Sequence, residues 1–153
     1  MRKAIFALTT TLLAAMPALA QDMTNPDEIL TARHGYMLLL AMQLAPLGAM
    51  AKGTAPYDAA AATEAAKNLA ALSGIDSSML WVPGTEAGVL TDSSALPAII
   101  ANTADRADRF AQLKGAADAL VTVAGNDVEA MKAGLGGVGA ACGGCHKEYR
   151  KPD

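Results

Sequence analysis

Residues 140–153 read AACGGCHKEYRKPD and hold both cysteines of the chain, Cys142 and Cys145, together with His146, one of its two histidines. Arg150 follows four residues later. What two thiols and an imidazole do at this spacing depends on the redox compartment in which the chain works.

The other end of the sequence indicates that compartment. MRKAIFALTTTLLAAMPALA carries Arg2 and Lys3, an apolar run over residues 4–15, and Ala18-Leu19-Ala20 as a small-x-small cleavage signal. This is the layout of a secretory signal peptide. Cleavage after Ala20 removes residues 1–20 and leaves residues 21–153 as one mature domain starting at Gln21. A membrane anchor fits less well, because the apolar run is shorter than the roughly 20 residues a spanning helix needs. The expectation is an exported, periplasmic protein with no membrane span after cleavage.

Without Arg2 and Lys3 the 12 basic residues fall to 10 against 15 acidic ones, a net charge of −5. No basic patch stands out, which argues against nucleic acid and anionic membrane surfaces as partners. Alanine is abundant, β-branched residues are sparse and period-2 alternation is hard to find, so the sequence predicts an all-α fold.

Four helices follow from start and stop signals. Asn25 caps the first, with Pro26 at its first position and Glu28 completing a capping box. That helix runs to about Ala51 and is expected to kink near Leu44 or Ala45 because of Pro46. Asp58 caps a second helix that stops at Gly74. A long irregular stretch broken by Pro83-Gly84 and Pro97 comes next, and a loop of that length is usually functional or packed over something. A third helix starts near Thr103, and Asn126 with Glu129 opens a fourth that carries the terminal motif. Helices of this length, joined in this order, predict an antiparallel four-helix bundle.

In C-x-x-C-H, thiols three residues apart share one helical face. They can form thioethers with the two vinyl groups of a haem while the adjoining histidine offers a nitrogen to the iron. Three other readings fit less well. A thioredoxin-type pair belongs at a helix N-terminus, where the dipole lowers the thiol pKa, and this pair lies far along a helix. A zinc site lacks a fourth ligand, His34 being the only other histidine. A structural disulfide would close a trivial loop and leave His146 unexplained. Haem would also supply the large apolar body that a small alanine-rich bundle lacks. Gly134, Gly136, Gly137 and Gly139 each cost a helix about 1 kcal/mol relative to alanine. Close approach of the backbone to a porphyrin or a neighbouring helix would offset that cost; a frayed or kinked helix is the other reading.

The chain resembles the class II c-type cytochromes, and within them the cytochrome c prime family. The resemblance rests on ARHGYM at 32–37, APLGAMAKGTAPYDAAAA at 45–62, WVPGT at 81–85 and VGAACGGCHKEYR at 138–150, and it covers most of the mature chain. It implies a four-helix bundle with one covalent haem c on the last helix, Cys142 and Cys145 forming the thioethers and His146 serving as proximal axial ligand. Arg150 matches a basic residue on the proximal face, although a cation at a helix C-terminus is favourable in any case. Arg33 matches a first-helix arginine that approaches a haem propionate, against the alternative of an ordinary solvated charge.

Leu30, Arg33, Met37, Leu40 and Leu44 fall on one helical face, which aims Met37 at the distal side of the haem. The family places a bulky non-coordinating side chain there, leaving five-coordinate iron that binds NO or CO. Some class II relatives use a first-helix methionine as sixth ligand, giving a low-spin electron carrier. Helical spacing alone does not choose between the two. His34, turned about 100° from Arg33, is expected at the surface or an interface. Trp81 is expected near the haem edge, although the family often has a tryptophan where this chain has Ser78. No carboxylate pair, nucleophile or second metal accompanies the haem, so a non-enzymatic haem protein is expected. The resemblance also implies a homodimer through the first helix, and Leu38, Leu39, Met42 and Met50 lie beyond its core stripe.

Overall fold

Asn25 accepts a hydrogen bond from the Asp27 backbone N–H at 3.0 Å, and Pro26 takes the first helical position, where its missing N–H is not needed. These residues start α1 (Pro26–Ala51), which continues unbroken through Pro46. The chain is described by a computed structural model over residues 24–152, so the expected signal peptide lies outside the described residues. The helix ends in a Schellman motif: Gly53 has φ 71°, its N–H donates to Met50 O, and the Thr54 N–H donates to Ala49 O at 3.0 Å. Asp58 then caps α2 (Ala59–Ser73) by accepting from the N–H groups of Ala60 and Ala61, and Gly74 closes it.

The remaining helices are α3 (Pro97–Ala101), α4 (Thr103–Val123) and α5 (Val128–Tyr149). The short turns between α1 and α2, and between α4 and α5, make each pair antiparallel neighbours. Helix α2 packs on α4, and α5 packs back on α1, closing a four-helix bundle. Among the described residues no helix is long and apolar enough to cross a membrane.

Two expectations change at the helix starts. The cap of α5 is Asp127, whose carboxylate accepts from the Ala130 N–H at 2.8 Å, rather than Asn126. Pro97 does not break structure; it occupies the first position of α3 and so begins a helix that buries Ile99.

Leu47, Leu69, Leu120, Met131 and Val138 fill the bundle centre, and Ala62, Ala66, Ala117 and Ala124 are fully buried between them. Small residues on α2 let its backbone lie close to its neighbours. Met50 belongs to this core and its sulfur accepts from the Asp58 N–H, so it is not part of an outer contact face. Leu38, Leu39 and Met42 remain exposed on α1.

The glycines of α5 divide. A Cβ on Gly134 would meet Leu120 Cδ1 and Val123 Cγ2 at 2.9 Å, so this glycine lets α5 approach α4. Gly136 and Gly139 have open space where a Cβ would go, and Gly137 meets only Ala116 at 3.9 Å. Gly134→Ala is therefore expected to lose about 1–3 kcal/mol through overpacking. Gly136→Ala is expected to be neutral or to gain up to about 1 kcal/mol from helix propensity. Denaturant unfolding of the two variants beside the parent checks the contrast.

Candidate functional site

Helix α5 carries Cys142, Cys145 and His146 in its last turns, and all three line one cavity of about 400 Å³. That is the size of a cofactor pocket. Helix α1 contributes Arg33, Met37, Leu40 and Leu44 to the same wall, α4 contributes Phe110 and Leu113, and the segment between α2 and α4 adds Trp81, Ala95 and Ile99. The first-helix stripe expected from spacing thus faces the C-x-x-C-H motif across one mostly apolar space. Met37 is half-buried and packs against both the bundle core and the smaller cluster of Trp81, Ile99 and Tyr149. His34 is exposed but reaches the edge of the cavity, closer to the site than its helical angle suggested.

Burial pushes the thiol pKa of Cys142 up. It does the same at Cys145, where the charge of Arg109 opposes it. A redox-exchange pair needs the opposite shift. Among the described residues no cluster of three or more His, Cys, Asp or Glu side chains is placed to hold a metal ion directly. His146 has a lowered pKa, first from burial and then from the charge of Arg150, a shift that favours the neutral imidazole, the form with a lone pair to donate.

Arg33 is not a solvated charge: it is 4% exposed. Its Nε donates to Leu80 O at 2.9 Å, Nη1 to Thr85 O at 3.0 Å and to Ser93 Oγ, and Nη2 to Thr85 Oγ1. The guanidinium therefore ties both sides of the long connection to α1. It also lies over the Trp81 ring, Cζ 4.7 Å from the centroid. Burial lowers its pKa, partly offset by the charge of Glu86. Thr85 and Ser93 were silent in the sequence, since nothing local marks a loop hydroxyl as the partner of a distant arginine.

The same connection straps down the end of α5. The Leu96 N–H donates to Tyr149 O at 2.8 Å, and the Lys151 N–H donates to Ser94 O at 2.8 Å. Arg150 caps α5 in extended geometry, pairs with Ala95 and lines the cavity. Behind the motif, Tyr149 donates its hydroxyl proton to Asp105 Oδ2, which also accepts from Arg109 Nε at 3.2 Å. These bonds, that of Tyr149 foremost, hold the Asp105 carboxyl below the usual carboxylate range. Asn102 Nδ2 donates to the Tyr149 hydroxyl at 3.4 Å. This network joins α4 to the turn that follows His146. Only the i,i+4 spacing of Asp105 and Arg109 could have suggested it.

Residues 28–150 match the family model described as Cytochrome C'. The chain belongs to the cytochrome c' family. Cytochrome c-554 of Cereibacter sphaeroides is 43% identical over 141 residues, covering 92% of each chain. Cytochrome c' of the same species is 40% identical over 148 residues, covering 94% of this chain and 95% of that one. The solved structure of cytochrome c' from Rhodobacter Spheriodes superposes with a TM-score of 0.82 at 35% identity, covering 85% of this chain and 100% of that one. Variants of Alcaligenes xylosoxidans cytochrome c prime are solved with bound NO (TM-score 0.72, 28% identity, 85% of this chain and 98% of that one). A second such variant carries bound carbon monoxide (TM-score 0.71, 29% identity, 84% of this chain and 98% of that one).

Cytochromes of this family carry covalent haem c, and the cytochrome c' residues present here fit that group. Two half-buried thiols and an imidazole share a cavity with apolar side chains from α1 and α4. The Trp81 ring lines the same cavity beside Arg33.

Proposed function

We infer that this chain is a periplasmic haem protein whose iron is five-coordinate and binds small uncharged ligands such as NO and CO. Residues 1–20 act as a cleaved signal peptide, and residues 21–153 form the mature domain. Cys142 and Cys145 hold the haem through thioethers, and His146 is the proximal ligand. Haem supplies an iron that exchanges one electron and accepts a further ligand.

The observation that carries this reading is that Met37, Leu40 and Leu44 of α1 wall the same cavity as Cys142, Cys145 and His146 of α5. An apolar wall admits diatomic ligands and excludes charged ones. The bound NO and CO in the Alcaligenes xylosoxidans variants support the same chemistry. Met37 fills space: its side chain already packs between the two apolar clusters. Arg33 sets positive charge at the haem edge while holding the connection, and Arg150 does so beside His146. No catalytic role is assigned to any residue. Exposed Leu38, Leu39 and Met42 on α1 form the contact of a homodimer.

The second reading makes Met37 the sixth ligand of a low-spin electron carrier, and it rests on the same cavity position. Met37→Leu separates the two. Electron paramagnetic resonance of the ferric holoprotein is expected to show the same high-spin signal in parent and variant. A low-spin parent that turns high-spin in Met37→Leu would establish the carrier instead.

A further inference from the structure

The sequence holds three tyrosines and one tryptophan, the aromatic side chains from which a single electron is most easily drawn. A phenol gives up an electron readily only if its hydroxyl proton leaves with it, because the oxidised phenol is a strong acid. What each hydroxyl donates to therefore decides which tyrosine can act. Tyr36 donates to Leu72 O at 3.3 Å and Tyr57 to Ala124 O at 2.9 Å, both peptide carbonyls that take no proton. Tyr149 donates to the carboxylate of Asp105. Trp81 has Arg33 over its ring, a cation that opposes removal of an electron, and its Nε1 has no proton acceptor among the described residues.

Tyr149 is also the one tyrosine that lines the cavity. It is buried and lies one turn beyond Cys145 on the same face of α5. Cys145 in turn packs against the cluster formed by Trp81, Ile99 and Tyr149. The phenol ring thus stands next to a thiol that would carry the haem, while its hydroxyl reaches Asp105 on α4. Arg109 Nε donates to the same Asp105 oxygen at 3.2 Å, and these bonds keep the carboxyl ionised. Asp105 is partly exposed, so a proton it receives can pass on to water.

We propose that Tyr149 and Asp105 form a redox pair: when a peroxide oxidises the haem, Tyr149 gives it one electron and passes its hydroxyl proton to Asp105 Oδ2, becoming a neutral tyrosyl radical. The proposal rests on the haem reading above and gives the cavity a second kind of ligand, a small uncharged peroxide. Breaking the O–O bond of hydrogen peroxide to form two waters takes two electrons, drawn from the haem, and two protons, drawn from water. Tyr149 returns those electrons one at a time. A one-electron reductant in solution, such as an enediol or a free phenol, restores each electron to Tyr149, and Asp105 gives the proton back.

Freeze-quench electron paramagnetic resonance of the ferric holoprotein mixed with hydrogen peroxide tests the pair. A tyrosyl radical is expected in the parent, in Tyr36→Phe and in Tyr57→Phe, and its loss is expected in Tyr149→Phe. Asp105→Asn keeps a hydrogen-bond acceptor of the same shape but no base, and is expected to lose the signal as well. A form carrying a ring-fluorinated tyrosine at position 149 keeps the hydroxyl and guards against misfolding of the phenylalanine variant; fluorine is expected to split its signal. A radical that survives in Tyr149→Phe or Asp105→Asn, or that fluorine leaves unsplit, overturns the proposal. So does a parent that forms no protein radical, whether or not peroxide changes its Soret band. Failure of the haem reading is distinguishable, because the purified protein would then show no Soret band at all.

Discussion

Replacing Cys142 and Cys145 together with alanine is expected to abolish covalent retention of haem. Acid-acetone extraction should remove all haem from the variant and none from the parent, and haem staining after denaturing electrophoresis should disappear. The two thiols lie on one face of α5 and line the cavity, and they are the only cysteines in the sequence, so no other side chain can form a thioether. Either single replacement keeps one thioether and is expected to retain stainable haem. A further effect follows from the size of the cavity. At about 24 cal/mol per Å³, an unfilled cavity of about 400 Å³ would cost about 10 kcal/mol, comparable with the whole stability of a small domain. Part of the space opens to solvent, so that figure is an upper bound. The haem-free double variant is therefore expected to melt far below the parent, or to collapse around the gap, with loss of helical circular dichroism on mild heating.

Arg33→Met is expected to destabilise the holoprotein by about 2–4 kcal/mol. Methionine keeps most of the volume on α1 but removes the donors to Leu80 O, Thr85 O, Thr85 Oγ1 and Ser93 Oγ. Leu80 O then loses its donor, at about 1–3 kcal/mol, and the charge-assisted bonds to Thr85 and Ser93 are lost although Thr85 O keeps the Ser93 hydroxyl; ending the burial of a cation offsets part of this. For a domain of this size the midpoint of thermal unfolding should fall by about 5–15 °C. Hydrogen exchange gives the sharper reading: backbone amides of residues 80–96 should lose protection while those of α2 keep theirs. Arg33→Lys should not restore it, because a single ammonium cannot reach acceptors on both sides of the connection. Unchanged protection in Arg33→Met would mean that the arginine serves the haem alone.

The bundle was legible in the sequence because its signals are local. Asn25, Pro26, Asp58 and Gly74 act on backbone groups within a turn of themselves, and each behaves as its type predicts. The stripe from Leu30 to Leu44 was legible for the same reason, since helical period alone fixes which side chains share a face. The partners of Arg33 were not legible. They lie 47 to 60 residues away along the chain, in a segment with no periodicity to place them. Pro97 was misread because proline breaks a helix interior and starts a helix equally well, and only the burial of Ile99 on α3 settles which. At Met50 the period was sound but the occupancy was not. The turn into α2 folds over that position, so a residue counted on the outer face became core.

The proposed function turns on a haem iron held by His146 with no side chain from α1 bound to it. Absorption and resonance Raman spectra of the ferrous holoprotein, before and after addition of CO, test it most directly. A high-spin, five-coordinate spectrum is expected, converting to a six-coordinate low-spin CO complex without loss of any protein ligand. A ferrous spectrum that is already low-spin and six-coordinate, with a sharp α-band before CO is added, would contradict it and place Met37 on the iron.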